Sequence, residues 1–461
     1  MLGQIPTPEE YVKRMLDEVG YHRQLVGKTF IDNSCGDGNV LVEAVKRYIH
    51  ASKEEGYDTE YIKKNLEYDI YGYDIDKKAV NKSIERLNEL AATEGINNVK
   101  WNISIADYLK TEPRKYDYIV GNPPYITYHD LTIEQRKYVK KIFMSCQKGR
   151  FDYCYAFIEK SLKSLTSNGK MAYLIPFSIF RNKFAEELRK QLLEKLSKII
   201  DLSGIEVFPD RTVGATIIIC ESKSNKKIKY VQSENTISTI EKTSLNGKWI
   251  FGKQSTNGKK FEDYFNVLNS VATLKNEVFL FEPEREDSYY YYFEDAKIEK
   301  EIAYNAVSPK SKQTKRNYKI IFPYKVENKK IRRIDVKEFQ RLYPFTYQYM
   351  LKKKNDLMNR SLSDTTYWYE YGRSQALSSV TVEKLVIPMV MSNKIMIYHG
   401  GKHTIPFAGY YITCKTNEYT LEDAKRILED PRFMEYIKKC GTPTTKTSYR
   451  VSTRDIKNYV F

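Results

Sequence analysis

Between residues 28 and 220, short apolar runs alternate with longer stretches whose apolar positions recur every three to four residues. The short runs predict strands at 28–32, 68–73, 98–105, 116–120, 171–175, 198–202 and 216–220. The helical periodicity predicts helices at 39–50, 76–92, 133–144, 152–165 and 181–196. Strands alternating with helices on this spacing build a doubly wound α/β sheet. The pattern changes at 221–258, which is polar and rich in Lys and Ser, so a boundary is expected within 225–250. Beyond it, strand-like runs at 320–324, 385–391, 395–398 and 410–414 mix with helical patterns at 337–353 and 421–438, which predicts a mixed α+β domain. Residues 289–292 are a tyrosine run that reads as half-buried strand. For 461 residues two domains are expected, here 1–240 and 241–461.

Composition adds exclusions. At 41% hydrophobic and 29% charged the chain reads as a soluble globular protein with ample material for a core. No apolar run is long enough to span a bilayer, and residues 1–10 lack a basic, then apolar, leader, so a cytoplasmic location is expected. Six scattered cysteines form no CxxC pair and the five histidines do not join them, which points to reduced thiols and no metal site. The net charge of +17 is unevenly spread: residues 301–360 hold 16 Lys/Arg against 5 Asp/Glu, a net +11. Such a concentration suits a polyanion, and nucleic acid is the expected partner.

Candidate chemistry collects at predicted strand ends. The run Asp117-Tyr118-Ile119-Val120-Gly121 reads as a buried strand, and Asn122-Pro123-Pro124-Tyr125 follows it directly. Two prolines stop the ladder and set a rigid turn at the carboxyl edge, where open α/β sheets bind ligands. An amide oxygen at Asn122, a fixed carbonyl at Pro123 and the ring of Tyr125 suit a planar group bearing an NH2, such as adenine. The loop Asp32-Asn33-Ser34-Cys35-Gly36-Asp37-Gly38 leaves the first strand, and its two glycines allow a tight turn and close approach to a ligand. Asp74 ends the second strand, where a carboxylate accepts ribose hydroxyls, and Asp107-Tyr108 follows the third.

Taken in order, Thr7-Pro8, the 32–38 loop, Asp74, Asp107-Tyr108 and Asn122–Tyr125 resemble the gamma-class, TaqI-like DNA adenine-N6 methyltransferases. The likeness continues through Lys148-Gly149-Arg150-Phe151-Asp152, Tyr155-Ala156-Phe157-Ile158-Glu159-Lys160 and Glu206-Val207-Phe208-Pro209, and so covers about 5–220. Members of the family commonly carry Pro where this chain has Asn33.

The resemblance implies a Rossmann-like methyltransferase domain binding S-adenosylmethionine, followed by a DNA-specificity domain. Thr7, Asp32, Ser34, Cys35, Gly36 and Gly38 would hold the methionine part, Asp74 the ribose, and Ile75 with Phe157 the adenine ring, whose amine Asp107 would read beside Tyr108. Asn122, Pro123, Pro124 and Tyr125 would hold the target base, with Phe208 closing its other side. The stretch Trp368-Tyr369-Glu370-Tyr371-Gly372-Arg373-Ser374-Gln375 resembles a segment of the family's specificity domains. Arg373 and Gln375 are candidate base readers, and Lys329, Lys330, Arg332 and Arg333 candidate phosphate contacts.

The expected function is site-specific adenine methylation of double-stranded DNA in a bacterial or archaeal restriction-modification system. The chain is expected to act as a monomer beside a separate cognate endonuclease, because the first motif begins at Thr7 and leaves no room upstream for a fused nuclease. The alternatives are an RNA adenine methyltransferase and a non-catalytic DNA-binding subunit that kept the fold.

Overall fold

The computed structural model of the protein describes residues 6–208, 214–223, 225–232, 236–251, 258–327, 330–363, 365–373, 377, 381–445 and 447–461. The chain divides into two compact units, Met1–Gly252 and Lys253–Phe461.

In the first unit the chain runs α1 (Glu9–Val19), β1 (Phe30–Asp32), α2 (Asn39–Glu54), α3 (Thr59–Asp69), β2 (Ile70–Asp74), α4 (Lys77–Thr93), β3 (Asn102–Ile105) and β4 (Tyr116–Gly121). It continues through α5 (Ile133–Ile142), α6 (Cys154–Lys163), β5 (Leu165–Pro176), α7 (Glu186–Lys195), β6 (Leu196–Leu202), β7 (Ala215–Glu221), β8 (Lys227–Val231) and β9 (Ile237–Glu241). These strands form one nine-stranded sheet in the order β3-β2-β1-β4-β5-β7-β6-β8-β9. Strands β3 to β5 are parallel, and β7 runs antiparallel between β5 and β6. This is the Rossmann-like arrangement that the resemblance implies. The chain winds outward from β1 to β3 and then returns to β4 on the other side of β1, so the carboxyl ends of β1 and β4 border the crevice of a topological switch point.

Side-chain alternation along the central strands divides the core between the two faces. Ile119, Met171, Tyr173, Ile175 and Ile199 pack with α6 and α7, while Val120, Ala172, Leu174 and Ile200 pack with α1 and α2. Both faces are covered, which is why the strands read as continuous apolar runs. Helices α1 and α3 and strands β8 and β9 were not read from the sequence. Strands β8 and β9 lie in the polar 221–258 stretch and extend the sheet beyond β6; β9 is mostly exposed, so its pattern resembles a loop. Trp249 and Phe251 are buried in the core of this unit.

The second unit contains two four-stranded sheets and smaller ones, with short helices. The helix expected over 337–353 is two helices, Val336–Leu342 and Pro344–Lys352, and that expected over 421–438 is Leu421–Glu429 and Pro431–Cys440. Each break falls at a proline, which cannot donate to the preceding turn and forces its predecessor out of helical geometry. The tyrosine run is strand Tyr290–Phe293, half-buried at its tyrosines.

Candidate cofactor and base site

At the carboxyl edge of β1, β2 and β4 lies a cavity of about 410 Å³. Twelve of the residues singled out from the sequence line it: Thr7, Asp32, Ser34, Cys35, Gly36, Asp74, Ile75, Asp107, Tyr108, Asn122, Pro124 and Phe157. Gly38, Pro123, Tyr125 and Phe208 stand outside its lining.

The loop after β1 is held by its own backbone and by β2. Cys35 donates its N–H to the Tyr73 carbonyl at 3.0 Å, and Gly36 donates to Asp74 Oδ2 at 2.9 Å. The other Asp74 oxygen accepts from the Asp76 N–H at 2.9 Å, so this buried carboxylate joins two strand-end loops. Gly36 and Gly38 both have positive φ, and a Cβ on Gly38 would lie 2.3 Å from Ser83 Oγ on α4. That clash explains the second glycine: it lets α4 close on the loop. Ser34 Oγ donates to the Asn122 carbonyl at 3.1 Å, tying this loop to the turn after β4. Thr7 is tied in through Asn39, whose side-chain amide donates to the Thr7 carbonyl at 3.1 Å.

Asp32 is 2% exposed. Burial pushes its carboxyl up to about 7, the nearby Asp74 charge adds to the shift, and the Ser34 N–H opposes it. Two further residues, given no role from the sequence, shape this corner. A Cβ on Gly121 would fall 2.7 Å from Asp32 Oδ1, so glycine at the end of β4 admits the carboxylate. A glycine closing a strand just before a ligand turn is a sequence signal for such an approach. Asn33 is buried, and its amide donates to Ser161 Oγ at 2.9 Å and to Tyr173 OH at 2.5 Å. Tyr108 OH lies 3.3 Å from the same Ser161 Oγ. Asn33 thus tethers the loop to α6 and β5 and, through Ser161, to Tyr108, and nothing local in the sequence announces it.

Tyr108 is buried, its ring centroid 5.7 Å from that of Phe157, whereas Ile75 is 62% exposed at the cavity. An exposed isoleucine sharing a cavity with buried aromatics is an apolar surface that a planar ring could cover. Asp107 caps a short 3₁₀ turn through the Leu109 N–H and pairs with Lys110 at 3.6 Å. Tyr125 donates its hydroxyl to the Leu174 carbonyl at 2.9 Å and stands edge-on to Phe208, with ring centroids 6.2 Å apart. The two rings touch each other and leave no layer between them. Gln135 and Tyr153, not singled out from the sequence, also line the cavity.

Among the described residues no group of three or more His, Cys, Asp or Glu could hold a metal ion. No described helix is long and apolar enough to cross a membrane.

Comparison with known proteins bears on this stretch. Residues 37–208 match the Eco57I restriction-modification methylase family. The Eco57I match runs from the loop after β1 through Phe208 and so contains Asp74, Asp107 and the Asn122–Tyr125 turn. The chain is similar to the Type II restriction enzyme and methyltransferase RM.Eco57I of Escherichia coli, 24% identical over 490 residues, covering 84% of this chain and 49% of that protein. It is also similar to the Type II methyltransferase M.BstVI of Geobacillus stearothermophilus, 27% identical over 258 residues, covering 52% of this chain and 46% of that protein. The chain spans about half the length of these curated relatives. In fold it is similar to the Type IIL restriction-modification enzyme MmeI, solved in complex with DNA, with a TM-score of 0.61 and 15% identity over 98% of this chain and 66% of that one.

In the second unit, the segment beginning at Trp368 is mostly core. Trp368, Tyr369 and Tyr371 are buried, and the Arg360 guanidinium holds the carbonyls of Trp368 and Glu370 at 2.6 and 3.0 Å. Arg373 is exposed. Arg332 is paired with Glu327 at 2.8 Å, and Arg333 lies 3.7 Å from Glu370. Lys330 begins strand Lys330–Arg333; Lys329 and Gln375 lie outside the described residues.

Proposed function

We propose that this chain transfers a methyl group from S-adenosylmethionine to the N6 amine of an adenine swung out of duplex DNA, within a short recognition sequence, as the modification activity of a restriction system. The observation that carries this reading is the convergence of Asp32, Asp74, Asp107 and Asn122 on one cavity with apolar walls at Ile75 and Phe157. The donor set fits the cofactor: carboxylates suit its cationic end and its ribose hydroxyls, the turn at Gly36 brings backbone close, and Ile75 offers a face to adenine. The similarity to Type II methyltransferases supports DNA as the substrate. When bound, the cofactor supplies a sulfonium-activated methyl.

The protein's part is positioning. An exocyclic amine of adenine is a poor nucleophile, because its lone pair is delocalised into the ring. Asn122 Oδ1 and the Pro123 carbonyl would each accept one N–H, which favours a tetrahedral nitrogen with its lone pair directed at the methyl. Tyr125 would stack on the base, and Phe208 would close the other side. The Tyr125–Phe208 contact must then open when the base enters. Extruding the base from the duplex is what makes the amine reachable. With an activated methyl, orientation and fixed dipoles can carry most of the rate. The reading is tested by incubating the protein with duplex DNA and methyl-labelled cofactor, followed by nucleoside analysis. Label is expected in N6-methyladenine; label only in cytosine, RNA or protein overturns the reading.

Asp32 makes cofactor uptake sensitive to pH. In the empty protein its carboxyl keeps its proton up to about 7. A cationic partner favours the carboxylate, so Asp32 loses a proton on binding wherever the empty site is protonated. Affinity should therefore rise with pH, by at most about tenfold per unit below 7, and level off above it. For folding of the empty protein the sign is opposite: the raised carboxyl favours the folded state at low pH, and that contribution is lost as pH rises from about 4 to about 7. Calorimetry at pH 6 in buffers of different ionisation enthalpy should report proton release, and Asp32→Asn should abolish it. An affinity flat from pH 5.5 to 8 would contradict the linkage.

A further inference from the structure

Immediately after the Asn122–Tyr125 turn, the chain makes an excursion that closes on itself. The Ile126 carbonyl accepts the Tyr153 N–H at 2.9 Å, and Thr127 bridges Asp152 in antiparallel fashion. Residues 127 to 152 therefore form a lobe that leaves and rejoins the chain at the end of the turn, and Ile126, Gln135 and Tyr153 place its base on the cavity wall. Leu131, Val139, Phe143 and Phe151 bury its inner side. A capping box between Thr132 and Gln135 starts α5, and the Glu159 carboxylate holds the Ser145 N–H at 2.8 Å.

The outer side is basic. Arg136 and Lys140, one helical turn apart, stand 4.7 and 5.2 Å from the ring of Tyr128. Lys137 and Lys141 lie on the neighbouring exposed stripe, and Lys148 and Arg150 are exposed on the following loop. Among the described residues none of these six cations takes part in an ion pair. By contrast, Arg332 and Arg333 are matched with carboxylates. These six cations outnumber the lobe's acidic residues Asp130, Glu134 and Asp152, and a polyanion laid across them would balance the excess and release its own counterions.

We propose that the lobe 127–152 grips the phosphodiester backbone of duplex DNA beside the position of the extruded base. This inference rests on DNA being the substrate. It assigns backbone contacts to the catalytic unit itself, where they would fix the strand whose base enters the cavity, independently of the basic 301–360 segment.

The test uses the full chain with Lys137→Glu, Lys141→Glu and Lys148→Glu combined, and the corresponding triple Gln variant. Thermal unfolding and cofactor titration should match the parent within about twofold in affinity, since these side chains are exposed and outside the cavity. Binding to a duplex, measured across salt concentrations, should have its log–log salt slope reduced by about 2 to 3 in either variant. The KM for DNA should rise more than tenfold in the Glu variant. A parent that binds duplex DNA while the Gln variant keeps its full salt slope overturns the lobe proposal and leaves the methyltransferase reading standing. A parent that binds no duplex, or only RNA, overturns both.

Discussion

Replacing Asn122 with alanine should reduce methyl transfer to DNA by about a thousandfold, while the cofactor dissociation constant changes by less than about threefold. The separation follows from which atoms each process uses. Ser34 bonds to the Asn122 backbone carbonyl, not to its side chain, so the alanine variant keeps the link between the β1 loop and the turn. The cofactor walls at Asp74, Ile75, Asp107 and Phe157 are supplied by other elements. The side-chain oxygen, by contrast, is one of two acceptors proposed to reshape the amine, and its loss matters most in the transition state, so kcat should fall while KM for DNA changes little. Single-turnover rates with saturating cofactor, alongside equilibrium cofactor titration, measure the two separately. Parallel loss of transfer and cofactor binding would make Asn122 a structural residue.

The second large effect is expected from Gly121→Ala. The added methyl would meet Asp32 Oδ1 at 2.7 Å and lie 3.6 Å from the Tyr173 ring, inside a buried corner. Asp32 cannot simply turn aside, because Oδ1 also accepts the Ser34 N–H at 3.2 Å. Overpacking of this kind costs about 1 to 3 kcal/mol, which lowers the unfolding midpoint by roughly 2 to 12 °C for a unit of this size. Cofactor affinity should drop at least about tenfold as the loop shifts, given the sensitivity of preorganised sites to small displacements. A second change separates the causes. Asp32→Ala in the Gly121→Ala background should restore the midpoint by removing the clash, and should leave cofactor affinity low. Unchanged stability and affinity in the single variant would mean that the corner yields without strain.

Much of the site was legible because of how a doubly wound sheet is wired. Its parallel strands all end at one edge, so residues that close successive strands are brought together whatever the details of packing. Asp32, Asp74, Asp107 and Asn122 each close a strand or follow one within two residues, and each lines the same cavity. The breaks at Pro344 and Pro431 were missed, each stretch having been read as one helix, although the rule that splits them depends only on one residue and its predecessor. Strand β9 was missed for a different reason: a mostly exposed edge strand carries little alternation for a sequence to display.

Contacts between distant residues had no such signal. Asn33 reads as a mere departure from a family pattern until the fold brings it to Ser161 and Tyr173, 128 and 140 residues away. The basic residues of 301–360 stood out by number, yet Arg332 is matched with Glu327 and Glu338, while the less conspicuous cations of 127–152 have no ion-pair partner among the described residues. Hydrophobic period, turn chemistry and strand order are properties of neighbours along the chain, and from them followed the sheet, its loaded edge and the order of its motifs. Close approach at Gly121, the tether through Asn33, the Tyr125–Phe208 contact and the pairing of charges depend on how the elements pack, because each is set by distances between segments that no local pattern specifies.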